Sequence, residues 1–318
     1  MINSSTVSVT GDVHGEYNPF VHLLHTAGYL DDQHAWAGGT RTLWIMGDLF
    51  NTGPASLPVL DLVMRLQREA QAVGGTLACL LGNHEVMMLA AQAQPNAPFP
   101  GPHGETFRSH LLATGHVLPS DLDHLTPAHI AWLRALPTMV RLGSYLLVHA
   151  DCMMYPTYGS TVEAVNTTVN AVLTRNDPAQ LADLWQAFGI HHAFIDQPGD
   201  HHPNDGTTRA QALLTQYGGR QIIHGHSPLY KLTGQDPTTV TAPYLYAHDR
   251  AVDVDGCLYA RGPGFVWDLP EQPDETQAIQ AALDDYRAGT ATFVPHAEVM
   301  DRLEARINAN PQTGSANL

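Results

Sequence analysis

Acidic, imidazole and amide side chains recur in this sequence directly after apolar segments. Asp12 and His14 follow the segment STVSVTG, and Asp48 follows RTLWIMG. Three later apolar segments end in the same way, in Asn83 with His84, in His149 and in His226. Carboxylate, imidazole and amide groups are ligands for divalent transition metals. One such residue after a strand would be weak evidence, but five apolar segments that end this way indicate a metal site.

The segments that would carry these side chains alternate between strands and helices. STVSVTGD and RTLWIMGD have the pattern of buried strands, and NPFVHLLHTAGYL between them has apolar residues at helical spacing. ASLPVLDLVMRLQREAQAVG predicts a second helix, and GTLACLLGN predicts a third strand. This alternation is typical of βαβ units on a largely parallel sheet. Because the carboxyl ends of parallel strands meet at one edge of a sheet, we expect the five segment ends in one crevice.

The rest of the chain predicts more strands and a separate C-terminal segment. LPTMVRLGSYLLVHAD contains two predicted strands, RQIIHGHSP contains one, and the polar segment between them is predicted to be helical. LYAHDRAVDVDGCLYARGPGFVWDL has the alternation and turns of a β-meander. We expect a catalytic domain over residues 1–270 and a helical extension with a disordered end over residues 271–318.

Charge and composition exclude several classes of protein. The formal net charge is −16, and Lys231 is the only lysine. Such an acidic surface repels phosphate backbones, so no duplex nucleic acid is expected as a partner. No segment approaches the roughly 18 to 20 apolar residues of a membrane span, and no signal peptide is evident, so we expect a cytoplasmic protein without a membrane partner. The sequence leaves the oligomeric state open.

The candidate ligands also indicate the kind of metal. The three cysteines, Cys79, Cys152 and Cys257, lack CxxC spacing and are predicted to be buried apolar residues, so a zinc–thiolate site is disfavoured. Mixed carboxylate, imidazole and amide ligands suit two divalent ions, with manganese favoured and iron, zinc or cobalt as alternatives. Two such ions about 3.5–4 Å apart can polarise a phosphoryl group and generate hydroxide near neutral pH.

The motifs GDVHG, GDLFNTGP, GNHE, VHA and HGHS, in this order, resemble those of the calcineurin-like metallophosphoesterase superfamily. Within it they are most similar to the phosphoprotein-phosphatase branch, which includes bacterial symmetrical diadenosine tetraphosphate hydrolases. The resemblance implies an α/β fold of the four-layer α+β type, in which helices flank two packed β-sheets. It places the metal site at the carboxyl ends of the strands. It also implies hydrolysis of a phosphate ester by direct attack of a hydroxide that bridges the two metal ions.

The resemblance further implies a role for each motif residue. Asp48 would bridge the two ions, His84 would donate a proton to the leaving group, and Glu85 would be a structural acid. Asn83 would contact the substrate as well as a metal. The implied ligands of the first ion are Asp12, His14 and Asp48, and those of the second ion are Asp48, Asn83, His149 and His226. His224, in the same GHS segment, is expected to be structural.

The second motif departs from the family pattern. Phosphoprotein phosphatases read GDxxDRG there, and the aspartate orients the catalytic histidine while the arginine binds the phosphate. This sequence has Asn51 and Thr52 at those positions. Asn51 can still accept a hydrogen bond from His84, but it cannot stabilise an imidazolium, so we expect weaker acid catalysis. Thr52 would remain near the substrate without the charge or fork geometry of arginine.

The missing positive charge could come from another arginine. Arg209 precedes the GHS strand and is the first candidate for substrate binding, with Arg250 and Arg261 as alternatives. For each of them a solvated surface arginine is the competing interpretation. The histidine pairs at residues 191–192 and 201–202 could line the mouth of the site, hold adventitious metal or form a polar loop.

Two functional hypotheses follow. The first is a phosphoesterase that acts on a phosphorylated small molecule, a nucleotide or a phosphoprotein. The second is a catalytically weakened protein of the same fold that uses its metal site for binding or regulation, since two residues of one motif are substituted. The complete set of metal ligands favours the first hypothesis, because a decayed enzyme would be expected to lose ligands as well.

Overall fold

Nine strands form two mixed β-sheets in the computed structural model, which describes residues 7–100, 105–196 and 205–270. The strands are β1 (Val7–Thr10), β2 (Thr42–Ile45), β3 (Thr76–Cys79), β4 (Met139–Leu142), β5 (Tyr145–Val148), β6 (Gln221–His224), β7 (Tyr244–Tyr246), β8 (Ala251–Asp253) and β9 (Val266–Asp268). The first sheet has the order β3-β2-β1-β9, and the second has the order β4-β5-β6-β8-β7. The predicted C-terminal extension, residues 271–318, lies outside the described residues, so the domain division stays a prediction.

Parallel pairing dominates the centre of both sheets. β1, β2 and β3 are parallel neighbours, as are β5, β6 and β8. The antiparallel strands β9, β4 and β7 lie at sheet edges. The predicted βαβ organisation is therefore confirmed, and the carboxyl ends of the central strands in each sheet lie at one edge.

The predicted β-meander is only partly correct. β7 and β8 pair antiparallel, but β9 crosses to the first sheet and pairs with β1, where Ser8 is opposite Asp268. The hydroxyl of Ser8 donates a hydrogen bond to the Asp268 carboxylate at 2.6 Å. Alternation in the sequence predicts that a segment is a strand, but it does not identify the sheet to which the strand belongs.

Eleven α-helices and two short 3-10 helices connect the strands within the described residues. The α-helices are α1 (Tyr17–Thr26), α2 (Ser56–Ala72), α3 (Asn83–Ala93), α4 (Phe107–Ala113), α5 (Pro119–Asp123), α6 (Pro127–Arg134), α7 (Tyr155–Tyr158), α8 (Val162–Arg175), α9 (Pro178–Phe188), α10 (Gly206–Tyr217) and α11 (Leu229–Thr233). The 3-10 helices are Pro237–Thr239 and Leu258–Ala260. Among the described helices, none is long and apolar enough to cross a membrane.

The two sheets pack face to face with helices outside them. Val9 and Met46 at the first sheet share one buried cluster with Leu147, Ile223 and Val252 of the second sheet. The opposite faces of the strands pack with the helices in a larger core, in which α2 contacts β3, α8 contacts β4 and α10 contacts β6. The predicted four-layer fold is confirmed. All three cysteines are buried and free, as predicted.

Candidate metal and active site

The predicted metal ligands converge at the carboxyl ends of five strands, across the two sheets. Asp12 and His14 follow β1, and Asp48 follows β2. The remaining ligands follow β3, β5 and β6 and are Asn83, His149 and His226. Ligand atoms of His14, Asp48 and His84 lie within 4.8 Å of one another, and so do those of Asp48, His149 and His226. Asp48 therefore belongs to both groups, as expected for a bridging ligand.

The carboxylate of Asp48 lies at the centre of the site. Its Oδ2 atom is 3.8 Å from Nε2 of His14 and 3.9 Å from Nε2 of His84. Its Oδ1 atom is 3.4 Å from Nε2 of His149. The Oδ2 atom of Asp12 lies 3.7 Å from Nε2 of His14. These distances exceed the roughly 2.7–3.2 Å of a typical N–H···O hydrogen bond, so the nitrogen and oxygen atoms surround a common centre.

Hydrogen-bond acceptors face one another at this site, which fits a bound cation. The Asn83 Oδ1 atom lies 3.0 Å from Nε2 of His149, and that end of the amide is 2.9 Å from the nearer Asp48 oxygen. Either rotation of the amide or a cation among these acceptors relieves the repulsion. The Nε2 atom of His226 is buried and has no hydrogen-bond partner in the described part of the chain. Together with the donor types, this arrangement suits divalent metal ions.

Burial sets the electrostatics of the site. It raises the pKa of Asp12 well above the usual range, and the neighbouring Asp255 and Asp48 carboxylates act in the same direction. Burial, with Asp48, also raises the pKa of Glu85 to about 7. It lowers the pKa of the His84 imidazole to about 3. Buried carboxylates at this density repel one another, and a bound cation would stabilise their charged forms.

Three of the predicted ligands have a backbone conformation that is uncommon for residues with a side chain. The φ angles are 50° at His14, 52° at Asp48 and 68° at His226. Local hydrogen bonds stabilise these conformations: the His14 N–H donates to the Asp48 carbonyl at 2.8 Å, and the His226 N–H donates to the Asp12 carboxylate at 3.1 Å. Such strain clusters at functional sites because the surrounding structure holds the side chains in working positions.

Glu85 joins the loops that follow β2 and β3. Its Oε2 atom accepts hydrogen bonds from the backbone N–H groups of Asp48 and Gly82, both at 2.9 Å, and Oε1 accepts one from Leu49 at 2.8 Å. A Cβ atom at Gly82 would overlap the Asp48 carboxylate, so this close approach requires glycine. Glu85 thus has the structural position that the family resemblance implies.

Asn51 contacts His84, but with the opposite polarity from the prediction. The Asn51 Nδ2 atom lies 2.7 Å from Nδ1 of His84, so the amide donates to the ring rather than accepting from it. The Asn51 Oδ1 atom is buried and has no partner among the described residues. With Nδ1 as the acceptor, the ring proton of His84 is on Nε2, which lies 3.9 Å from Oδ2 of Asp48.

A cavity of about 300 Å³ opens over the ligands. The residues that line it beside the metal ligands include Thr52, His84, His116, His191, His192, Lys231 and Tyr259. The sequence analysis predicted Thr52 and His84 and left the position of the pair at 191–192 open, whereas it missed the other three. A feature of the sequence could have identified Lys231, since it is the only lysine and follows the predicted ligand His226 by five residues. No feature of the sequence indicated His116, because it belongs to a loop that is distant in sequence from the predicted ligand motifs.

Arg209, the arginine predicted to bind the substrate, is not among the described residues that line the cavity. Its side chain is 4% exposed, its Nε donates to the carbonyl of Ala193, and its Nη2 donates to the carbonyl of Ile195 at 3.4 Å. Arg209 therefore supports the segment that follows the histidine pair at 191–192, and this corrects the prediction. Neither Arg250 nor Arg261 lines the described cavity wall.

A buried network that the sequence did not predict lies behind the ligands. The Tyr246 hydroxyl is 3.0 Å from Oδ2 of Asp151 and 2.6 Å from Nε2 of His224, which is fully buried. Oδ1 of Asp151 accepts from the Ser227 hydroxyl at 3.0 Å and from the His192 N–H at 2.9 Å. Because Asp151 and Ser227 adjoin the ligand segments after β5 and β6, the network holds these two segments together.

The chain is similar in sequence to proteins named as nucleotide hydrolases and as a protein phosphatase. The chain is 39% identical over 235 residues to the symmetrical bis(5'-nucleosyl)-tetraphosphatase of Citrobacter koseri, covering 73% of this chain and 71% of the relative. It is 31% identical over 179 residues to the protein of the same name from Aromatoleum aromaticum, covering 55% of each. A Shewanella-like protein phosphatase 2 of Arabidopsis thaliana is 34% identical over 77 residues, 24% of this chain and 20% of that protein. The chain spans about half the length of several relatives that it matches.

Solved structures share the fold at low sequence identity. The cold-active protein-tyrosine phosphatase of a psychrophilic Shewanella species superposes with a TM-score of 0.57 at 19% identity, over 81% of this chain and 75% of that one. A protein serine/threonine phosphatase from Saccharomyces cerevisiae superposes with a TM-score of 0.51 at 14% identity, over 86% of this chain and 82% of that one.

The family model for calcineurin-like phosphoesterases matches residues 5–230, which include every predicted ligand. The chain belongs to the calcineurin-like phosphoesterase family.

Proposed function

We propose that this protein hydrolyses a phosphate ester and uses two divalent metal ions, with manganese favoured. The observation that carries the proposal is the position of Asp48, whose carboxylate belongs to both groups of ligand atoms. When bound, such ions polarise a phosphoryl group and lower the pKa of water. Asp12 and His14 would hold one ion with Asp48, and Asn83, His149 and His226 would hold the other with it.

His84 is the group that we assign to protonation of the leaving-group oxygen. It lines the cavity, and its Nε2 atom is directed towards the metal ligands, 3.9 Å from the Asp48 carboxylate. Because Asn51 donates to Nδ1, the neutral ring has its proton on Nε2 and can donate a hydrogen bond to the leaving-group oxygen, whereas full proton transfer requires the imidazolium form. The imidazolium form is disfavoured, so we expect acid catalysis to be modest and good leaving groups to react faster.

The lining residues suggest how the substrate is oriented. Thr52 is exposed at the cavity wall, where its side-chain hydroxyl would be accessible to a substrate, and its backbone N–H donates to the His116 carbonyl. Asn83 also lines the cavity and would contact both metal and substrate. Relatives named for bis(5'-nucleosyl)-tetraphosphate hydrolysis make that nucleotide the first substrate class to test, before phosphoproteins and small phosphomonoesters. The cytoplasmic location expected from the sequence remains a prediction.

The test is hydrolysis by the purified full chain after removal of metals and reloading with Mn²⁺. Three substrates are compared: a chromogenic phosphomonoester, its diester analogue and diadenosine tetraphosphate. We expect turnover of at least one substrate that depends on Mn²⁺ and is lost with a chelator. Binding of two ions without turnover of any substrate would contradict the proposal.

The substituted second motif favours one alternative. A protein of this fold with Asn51 and Thr52 in place of aspartate and arginine could retain its metals for binding or regulation. The same experiment separates the two functions, because that protein would bind Mn²⁺ and inorganic phosphate but would release no product.

A further inference from the structure

Lys231 lines the candidate active-site cavity and is the only lysine of the chain. Among the described residues that line this cavity, it is the only one with a permanent positive charge, since no arginine contributes to the wall. The second motif lacks its arginine, and Arg209 is engaged with backbone carbonyls elsewhere. Apart from metal ions, an anionic phosphate in the cavity would therefore meet a single fixed cation.

The backbone of Lys231 is held close to the ligand loop. Helix α11 begins at Leu229, directly after Pro228 and close to the ligand His226. The Lys231 N–H donates to the Pro228 carbonyl at 2.8 Å, and the Leu229 N–H donates to the Asp255 carbonyl at 3.3 Å. These bonds fix the base of the side chain, while the four-carbon stem lets the ammonium group adjust to a ligand.

The ammonium group has no carboxylate partner in the described part of the chain. The ion pairs found there do not include it, and its Nζ atom lies 5.8 Å from the centroid of the Tyr230 ring, a weak cation–π contact. The side chain is exposed. An unpaired lysine is notable in a chain with 31 acidic and 15 basic residues.

The charge of Lys231 also acts on His192, another residue of the cavity wall. Burial, together with the neighbouring His191, lowers the pKa of His192, and the charge of Lys231 acts in the same direction. His192 lines the same cavity. Lys231 and His192 therefore lie near each other on the cavity wall.

We propose that the Lys231 ammonium binds the non-bridging oxygens of the substrate phosphate and replaces the positive charge that arginine supplies in related phosphatases. This inference rests on the proposed function. It identifies a residue that determines whether the site prefers a dianionic or a monoanionic phosphate. An ammonium group is a compact point charge without a fork, so its attraction follows the charge of the phosphate more than its geometry. A dianionic monoester should therefore depend on Lys231 more than a monoanionic diester does.

The test compares the Mn-loaded full chain with Lys231→Met, Lys231→Arg and Arg68→Met. Arg68 is exposed on α2 and does not line the cavity, so its substitution removes one positive charge away from the site. Calorimetry gives the Kd for inorganic phosphate. Kinetics give KM and kcat for p-nitrophenyl phosphate and bis(p-nitrophenyl) phosphate, and metal analysis and thermal melting accompany both.

We expect Lys231→Met to weaken phosphate binding by roughly 10-fold or more, as for the loss of a hydrogen bond to a charged group. KM for the monoester should rise by a similar factor, and KM for the diester should rise clearly less. Metal content and Tm should not change. Lys231→Arg should retain most of the phosphate affinity, and Arg68→Met should match the wild type.

Two results would overturn the assignment. One is a Kd for phosphate that Lys231→Met leaves within twofold of the wild-type value. The other is an equal loss on both esters with a lower Tm, which indicates a structural role. If the wild type binds two ions and hydrolyses nothing, the proposed function fails, but the phosphate Kd of the variants still decides the role of Lys231.

Discussion

The side-chain nitrogen of Asn51 lies 2.7 Å from Nδ1 of His84, and this contact determines the proton arrangement of the candidate general acid. A donor at Nδ1 keeps the ring neutral with its proton on Nε2. An aspartate would instead accept from Nδ1–H and stabilise the imidazolium. The same two positions can therefore support strong or weak acid catalysis, depending on one atom of residue 51.

Asn51→Asp should strengthen acid catalysis. The new carboxylate would favour protonated His84, so kcat should rise by about 10-fold for esters with poor leaving groups and much less for good ones. The measurement is kcat across a series of aryl phosphates. Asn18→Asp adds the same charge at an exposed position of α1 and should leave the series unchanged. An equal gain for all leaving groups would contradict the assigned role of His84.

Asp48→Asn should remove the ligand shared by both metal positions. We expect activity to fall by at least about 100-fold and bound metal to drop below the wild-type content, because the remaining groups no longer share an anionic bridge. Metal analysis and turnover are measured on the same sample. Asp61→Asn, at an exposed carboxylate that contacts His129, is the matched control and should retain both. Full turnover by Asp48→Asn would falsify the site assignment.

Metal removal should lower the thermal stability of the protein. Ligands that bind only the folded state stabilise it, by about 2.7 kcal/mol at a free concentration of 100 times Kd. For a chain of this size the loss corresponds to a decrease in Tm of roughly 4 °C for each bound ion after treatment with a chelator. Scanning calorimetry with and without Mn²⁺ measures the shift, and added Mn²⁺ should reverse it. Asp48→Asn should show a smaller shift, and an unchanged wild-type Tm would argue against a metal centre.

Tyr246→Phe should weaken the network behind the ligands. The substitution removes the hydrogen bond to the buried Asp151 carboxylate, which should lower the free energy of unfolding by about 1–3 kcal/mol. Turnover should fall as well, because the network joins the segments that carry His149 and His226. Denaturant unfolding and kcat are the measurements. Tyr244→Phe, on the adjacent ring 5.7 Å away and 41% exposed, is the control and should change stability by less than about 0.5 kcal/mol. Equal effects of the two variants would contradict the role of the network.

Local sequence was sufficient for the elements that carry the site. The apolar runs before Asp12, Asp48 and Asn83 become β1, β2 and β3, and the helices between them form where helical spacing predicts them. Local hydrophobic periodicity dictates such elements, and polar residues after buried strands must then lie at the sheet edge. The convergence of the ligands therefore followed from residue types and their order, whereas the four-layer fold was implied by the family resemblance.

Side-chain direction and long-range partners were decided only by tertiary packing. Arg209 is buried on α10 and turns towards carbonyls, whereas Lys231, on a helix of one turn, faces the cavity. β9 pairs with β1 across more than 250 positions of sequence, through the contact of Ser8 with Asp268. Such relationships depend on how distant elements pack, because the free energy of a buried polar group depends on partners that no local pattern specifies. The amino-acid order thus determined which residues could bind metal, while the packing of the two sheets decided which charged groups line the cavity.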